Sequence, residues 1–367
     1  MKPVLSLRIA FRVDAAMHIG TGHVMRCLTL ANALREKGAD TLFICREHKG
    51  HLAKLIRQQG HSLYVLPAPG LTIQEQPSPQ QNPPHQGWLG ETWQTDAEQT
   101  GEVLAKAPII NWLIVDHYAL DSRWQTTLRK YCKHIMVIDD LADRPHDCDL
   151  LLDQTLGRKA QDYTGRVPEH CTILASAEYA LLRPEFSQWR PYSLKRREKP
   201  ALRQLLVNLG GVDNHNITGA TLQALGQADL PQAMHIMVVM GTNAPNLAQV
   251  KQQAAAMPVT TVVRAGVDNM AEIMAESDLA IGAAGTTSWE RCCLGLPTLM
   301  LVLADNQTQI AQNLASAGAA VILKQPCDVT DLLEYAIPRL AVLSNTAASL
   351  CDGQGMEKVL KEIQAMQ

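Results

Sequence analysis

Short apolar runs recur along this chain. Each is followed by a turn and by a longer stretch whose apolar positions repeat every three or four residues. Runs of the first kind suit buried strands and stretches of the second suit amphipathic helices, so their alternation predicts an α/β fold with parallel sheets. In the first half, strands are expected at 7–13, 41–45, 62–66, 112–116, 134–139, 149–152 and 171–174, and helices at 22–37, 50–59, 94–106 and 122–132. A second series starts at 204–211. It continues with strands at 235–240, 259–263, 278–282, 298–302 and 320–323, helices near 216–226 and 307–317, and a closing helix at 355–366.

Between the two series lies Ser193-Leu194-Lys195-Arg196-Arg197-Glu198-Lys199-Pro200, charged and short of core residues. It reads as a linker at 193–200 joining Rossmann-like domains at 1–192 and 201–367. Two α/β halves joined in this way would place a ligand in the cleft between them. Residues 67–90 carry Pro67, Pro69, Pro77, Pro79, Pro83 and Pro84 among several glutamines, the pattern of a long surface loop.

At 367 residues the chain is long enough for two cores. Its 46% hydrophobic and 19% charged residues are ordinary for a soluble protein, and the formal net charge of -3 argues against a general nucleic-acid binder. With 4% aromatic residues, a stacking platform for single strands is not expected either. The nine cysteines include no C-x-x-C pair, which points to reduced thiols in a cytoplasmic protein. The apolar run after Met1 is broken too early for a signal peptide, and no stretch approaches the roughly 20 apolar residues of a membrane span.

The strongest chemical signal is Gly20-Thr21-Gly22-His23-Val24-Met25-Arg26, between the first strand and the first helix. A glycine turn there lets a polar or anionic ligand approach bare backbone N–H groups, and Gly22 would stand at that mouth. His23 and Arg26, three apart, share a helix face; one can take a proton and the other can hold an anion. A helix-opening turn with a solvated His and Arg is the plainer alternative. Asp14, just past the first strand, can orient His23 or bind a sugar hydroxyl. Asp116 and Tyr118 follow the strand at 112–116 and belong near a sheet edge. Asp139 and Asp140 can bind Mg²⁺ or act as acid and base, but neighbours on a strand face opposite sides, and a turn or cap explains them as well. Arg183 suits a phosphate or a surface ion pair.

The second half holds two more glycine turns at strand ends. Gly210-Gly211-Val212-Asp213 can offer N–H donors to phosphate oxygens. Gly285, Thr286, Thr287 and Ser288 combine small residues, hydroxyls and a helix start, as a diphosphate cradle needs. Glu290 can accept from ribose hydroxyls or can simply complement a helix dipole. Asn306 and Gln307 can read sugar or diphosphate hydroxyls, or cap the following helix. Neither turn is a G-x-G-x-x-G or a G-x-x-x-x-G-K-[ST] motif, so NAD and ATP hydrolysis drop out.

Taken in order, these pieces resemble one family, the pseudaminic acid pathway hydrolase PseG. The resemblance runs through Phe11-Arg12-Val13-Asp14, Ile19-Gly20-Thr21-Gly22-His23-Val24-Met25-Arg26, Trp88-Leu89-Gly90 and Val115-Asp116-His117-Tyr118. It continues in Ile138-Asp139-Asp140-Leu141-Ala142-Asp143-Arg144, Leu181-Leu182-Arg183-Pro184-Glu185-Phe186 and Gly282-Ala283-Ala284-Gly285-Thr286-Thr287-Ser288-Trp289-Glu290. It implies a GT-B-like fold, two Rossmann-like domains with UDP held mostly by the second. It also implies inverting hydrolysis of UDP-2,4-diacetamido-2,4,6-trideoxy-β-L-altropyranose without cofactor or metal, with His23 as the base, water as acceptor and no membrane partner. The Pro/Gln-rich loop 74–87 looks longer than the family needs. A UDP-sugar glycosyltransferase on the same scaffold is the second reading, and a non-catalytic nucleotide-sugar sensor the third.

Overall fold

The computed structural model describes residues 7–70, 83, 85–106 and 108–366; most of the loop expected at 74–87 lies outside the described residues. The chain divides into two compact units. The first comprises Met1–Leu181 with Met356–Gln367, the second Leu182–Gly355.

The first unit is built on seven parallel strands: β1 (Arg8–Val13), β2 (Asp40–Arg46), β3 (Ser62–Leu66), β4 (Ile110–Asp116), β5 (Cys132–Ile138), β6 (Leu150–Asp153) and β7 (Thr172–Ala175). Their order is β3-β2-β1-β4-β5-β6-β7. The central strands are nearly continuous apolar runs because both faces are covered. On one face Ile9, Phe11 and Val13 pack against Val24, Leu28 and Ala31 of helix α1 (Gly22–Glu36) and against Val359, Leu360 and Ile363 near the end of the chain. Phe11 and Phe43 stack there with ring centroids 4.8 Å apart. On the other face Ala10, Ile44, Leu113 and Val137 meet Leu104 of α3 (Trp93–Ala105) and Trp124 and Leu128 of α4 (Ser122–Leu128). A shorter helix, α2 (Ala53–Gln58), lies between β2 and β3.

Period-2 alternation along β1 sends Arg12 to the same side as Ala10, where a fully buried charge network replaces apolar packing. Arg12 donates to Asp96 through Nε (3.1 Å) and Nη2 (2.6 Å) and pairs with Asp14 at 2.7 Å. Arg46 reaches Asp96 at 2.6 Å, and Trp124 Nε1 donates to the same carboxylate at 3.0 Å. Each buried carboxylate is thereby paired, as burial requires.

The second unit has six parallel strands: β8 (Gln204–Asn208), β9 (His235–Met240), β10 (Thr261–Ala265), β11 (Leu279–Ala283), β12 (Thr298–Leu301) and β13 (Ala320–Leu323). Their order is β10-β9-β8-β11-β12-β13. Its helices are α5 (Pro184–Arg197), α6 (Ile217–Leu225), α7 (Leu247–Ala255), α8 (Met270–Glu276), α9 (Thr287–Cys293), α10 (Thr308–Ser316), α11 (Val329–Ala336) and α12 (Leu340–Leu350). In both sheets the strand order reverses beside the first strand of the unit, between β1 and β4 and between β8 and β11. Open parallel sheets bind ligands at the carboxyl ends of such strands.

Two boundaries differ from the sequence expectation. Residues 193–200 are no free linker, for most of them form the end of α5, and that helix belongs to the second unit. Two of its polar residues, Ser193 and Arg197, are buried donors. Arg197 reaches the carbonyls of Met274, Ala275, Ser277 and Gly295, and Ser193 Oγ donates to Leu294 O at 2.6 Å. The closing helix α13 (Gly355–Ala365) was expected in the second domain. It returns instead to the first unit, because its apolar stripe completes the core beneath α1.

Candidate active site

Parallel pairing of β1 with β4 sets Val13 opposite Asp116. The turn after β1 therefore opens beside the last residue of β4. Gly20 takes φ +83°, a left-handed conformation suited to glycine, and its N–H donates to Ala16 O at 2.8 Å. Helix α1 then starts at Gly22, carrying His23 and Arg26 inward on one face, 8% and 4% exposed.

Both converge on Asp116. His23 Nδ1 lies 2.7 Å from Asp116 Oδ1. Arg26 donates through Nε to Oδ2 (2.6 Å) and through Nη2 to Oδ1 (2.7 Å). Arg26 Nη1 also donates to Asp140 Oδ2 at 2.6 Å, and the Tyr118 hydroxyl donates to that oxygen at 2.7 Å. The Tyr118 ring stands perpendicular to the imidazole, centroids 4.7 Å apart. Trp88 stands 6.1 Å from the imidazole, with His85 packed on Trp88 at 4.7 Å.

The electrostatics follow from this packing. Burial alone would raise the Asp116 carboxyl, but Arg26 and His23 hold it well below the usual carboxylate range. An ionised Asp116 accepts from His23 Nδ1–H and so assigns the tautomer, leaving a lone pair on Nε2. Burial, and then Asp140, push the Tyr118 phenol well above its ordinary value, so it stays a neutral donor. Burial lowers the half-buried His85 imidazole.

Asp14 departs from expectation. It touches neither His23 nor the mouth of the turn; it pairs with Arg12, accepts from Arg46 N at 2.6 Å, and faces His117 Nε2 at 3.3 Å and His48 Nε2 at 3.6 Å. Lying two residues beyond Arg12, it joins that residue's side of the sheet. The orienting carboxylate is Asp116, from the neighbouring strand. Asp139 and Asp140 also part company. Asp140 joins the His23 cluster, whereas Asp139 pairs with Arg144 at 2.9 Å and accepts from Tyr163 and from Ala142 N. Among the described residues no group of three or more His, Cys, Asp or Glu side chains could hold a metal ion.

In the second unit the two glycine turns behave differently. Gly210 takes φ +100° and Gly211 O accepts from Gly241 N, an approach so close that a Cβ on Gly241 would lie 2.1 Å from that oxygen. The N–H groups at the start of α6 are taken by the chain itself. Asp213 accepts from Ile217 N and Thr218 N, both at 2.8 Å, and Asn216 accepts from Gly219 N. The start of the helix after this turn is thus capped internally. Asp213→Ala should cost about 1 kcal/mol of stability, read from the urea midpoint.

The β11–α9 turn differs in its helix start. Among the described residues no side chain caps α9 at Thr286. Gly285 adjoins Gln307, whose Nε2 would lie 3.9 Å from a Cβ placed there. Gln307 Oε1 accepts from Leu303 N at 3.0 Å, and Thr287 Oγ1 accepts from Arg291 at 3.1 Å. Ser288 does not face the turn mouth; it is 1% exposed and its hydroxyl accepts from Arg291 Nη2 at 3.0 Å. Arg291 lies against Gly282, where a Cβ would sit 2.5 Å from Nη1. Arg183 pairs with Glu185 at 2.9 Å and stands 3.8 Å from Glu290. Burial raises the Glu290 carboxyl, with Arg183 and Arg291 opposing. The side chain of Asn306 lies outside the described residues.

Sequence reasoning had named Asp116 and Tyr118 as candidate substrate contacts, whereas Asp116 is taken up by His23 and Arg26 and the Tyr118 hydroxyl by Asp140. It had placed Asp140 only in a carboxylate pair and Trp88 only in a motif, and had passed over His85. Polar residues at strand ends were the available signal; which strand ends are neighbours is a property of the sheet order.

The two sheets and their reversal points define the class, a protein with the GT-B fold of two Rossmann-like units. A solved MurG from Acinetobacter baumannii superimposes with a TM-score of 0.68 at 15% identity, covering 98% of this chain and 99% of that one. Residues 210–362 match the glycosyltransferase family 28 C-terminal domain. More particularly, the chain is similar to the UDP-2,4-diacetamido-2,4,6-trideoxy-beta-L-altropyranose hydrolase of Campylobacter jejuni. The two are 28% identical over 87% of this chain and 100% of that enzyme. A shorter match, 30% identical over 52% of this chain and 58% of its counterpart, is to the spore coat polysaccharide biosynthesis protein SpsG of Bacillus subtilis.

Proposed function

We propose that this chain is an inverting hydrolase of UDP-2,4-diacetamido-2,4,6-trideoxy-β-L-altropyranose, cleaving the anomeric C–O bond. The observation that carries the reading is the His23–Asp116 pair at 2.7 Å, which leaves Nε2 of a neutral imidazole as the proton acceptor. Water attacks the anomeric carbon and its proton passes to His23 Nε2. The bond to the diphosphate oxygen breaks, and UDP leaves with the electron pair. The first unit supplies this base. In the second, Gly211, Gly285, Thr286, Thr287, Glu290, Asn306 and Gln307 are the proposed contacts for the nucleotide and diphosphate, with Arg183 beside Glu290. Backbone donors aimed at the leaving oxygens can stabilise the charge that develops there, the role a metal has in other enzymes. Gly22 and Arg26 remain proposed substrate contacts, Tyr118 a wall of the sugar site. Similarity to the Campylobacter enzyme along its whole length supports the substrate.

Incubation with this UDP-sugar in EDTA and ¹⁸O-labelled water tests the reading. Label in the free sugar and none in UDP supports it; no UDP release removes it. The match of residues 210–362 to a glycosyltransferase domain favours transfer to another acceptor as the second reading. UDP release that appears only when an acceptor is added would establish that reading.

Asp116→Asn replaces the acceptor of His23 Nδ1–H by a group able to hold the wrong tautomer. Turnover should fall roughly 10²–10⁴-fold, as when triad carboxylates are neutralised, while UDP affinity measured by calorimetry stays unchanged.

A further inference from the structure

We infer that Asp140 is a positioning residue for the His23 base, acting through Arg26 and Tyr118 without touching substrate. This rests on the reading of His23 as the base. Asp140 follows β5, the strand beyond β4 from β1, and its side chain is 14% exposed. A single oxygen, Oδ2, accepts from Arg26 Nη1 at 2.6 Å and from the Tyr118 hydroxyl at 2.7 Å. These two donors are the residues that define the surroundings of His23. Arg26 forks between Asp140 and Asp116, so it holds the carboxylate that holds the imidazole. Tyr118, anchored at its hydroxyl, sets its ring perpendicular to the imidazole at 4.7 Å. Two sides of the imidazole are thus fixed from one oxygen atom.

Asp140 is itself held in place. Arg158 donates through Nη2 to its backbone carbonyl at 3.0 Å and through Nε to Asp153 at 2.6 Å. A surface ion pair would leave a long flexible side chain to pay the ordering entropy. Here both partners are buried or nearly so, and the guanidinium is over-determined by two carboxylates. Bidentate pairing of this kind fixes direction as well as charge. Removing Asp140 frees one arm of Arg26 and the Tyr118 hydroxyl together. The imidazole then loses its fixed aim, and misplacement of a base by about 1 Å can cost on the order of 10²-fold.

The test compares Asp140→Ala, Asp140→Asn and Asp140→Glu with the unaltered full chain. For Asp140→Ala, kcat should fall about tenfold or more, and by a clearly larger factor than KM rises. Asp140→Glu should recover part of the loss. The groups facing the imidazole are Asp116 and Arg26, both charged, and Tyr118 and His85, both neutral; those facing Asp140 are Arg26, Arg158, Tyr118 and Asp153, whose carboxyl is pushed up to about 7 by burial and then by Asp140. Loss of a negative charge leaves Arg26 less neutralised, which disfavours a protonated imidazole. The acid limb of the kcat profile should move to lower pH by roughly half a unit in Asp140→Ala and Asp140→Asn.

A second readout needs no turnover. The low-field proton resonance of His23 Nδ1–H, assigned by its absence in His23→Gln, should broaden or move upfield in Asp140→Ala. If the unaltered chain releases no UDP, the functional reading fails and the resonance alone decides the role of Asp140. A folded Asp140→Ala or Asp140→Asn protein with unchanged kcat, acid limb and resonance overturns the inference.

Discussion

His23→Ala should lower the rate of UDP release by roughly 10²–10⁴-fold, the range a positioned general base contributes, with UDP binding and the urea midpoint near those of the unaltered chain. Two features make the loss large. The imidazole is 8% exposed and paired with an ionised Asp116, so bulk water does not substitute for it. Arg26, its neighbour on the helix, is a guanidinium held charged by Asp116 and Asp140 and has no proton-accepting form in this site. Steady-state assays paired with calorimetric UDP titration separate the outcomes. Near-normal turnover in a folded variant would remove His23 from the chemistry and with it the proposed mechanism.

Asp96→Ala should be the most destabilising single change in the first unit, costing about 3–5 kcal/mol in urea unfolding. Asp96 is fully buried and accepts from Arg12, Arg46 and Trp124. Its removal leaves Arg46 without its carboxylate partner and Arg12 with Asp14 alone. The same network makes the protein acid-labile. Burial alone would raise Asp96 and Asp14, but Arg12 above all holds both below the ordinary carboxylate value. A carboxylate whose folded value is depressed adds stability above its unfolded value, about 4, and loses it as pH falls further. Unfolding on acidification should therefore set in below about pH 4, and later relative to the neutral midpoint in Asp96→Asn, which has no such charge to lose.

Strands were legible in the chain because buried parallel strands are apolar runs; β3, β9 and β13 fall on the residues expected. The β1–α1 turn with His23 was legible because a glycine turn at a strand end has a local signature. Helices α7, α8, α11 and α12 were not placed, for their short apolar stripes sit among alanines and polar residues with few side-chain caps. Helix α5 was misread because Arg196 and Arg197 look like part of a solvated charge run. Their partners, the Asp278 carboxylate and the Gly295 carbonyl, lie 82 and 98 residues away. Asp14 was the orienting group expected for His23, and sheet order gives that place to Asp116 instead. Long-range pairing of this kind leaves no local trace.

The return of α13 to the first unit makes the second unit an insert. Residues 182–355 enter and leave it side by side, with Gly353 packed against Ser187. The synthesis order and the completion order of the two cores are consequently opposite. The inserted unit has all of its residues once Gly355 has emerged, whereas the first unit still lacks Met356, Val359, Leu360 and Ile363 beneath α1. The half bearing His23 was made first and is finished last. The core under the His23 cluster is complete only once α13 has packed beneath α1.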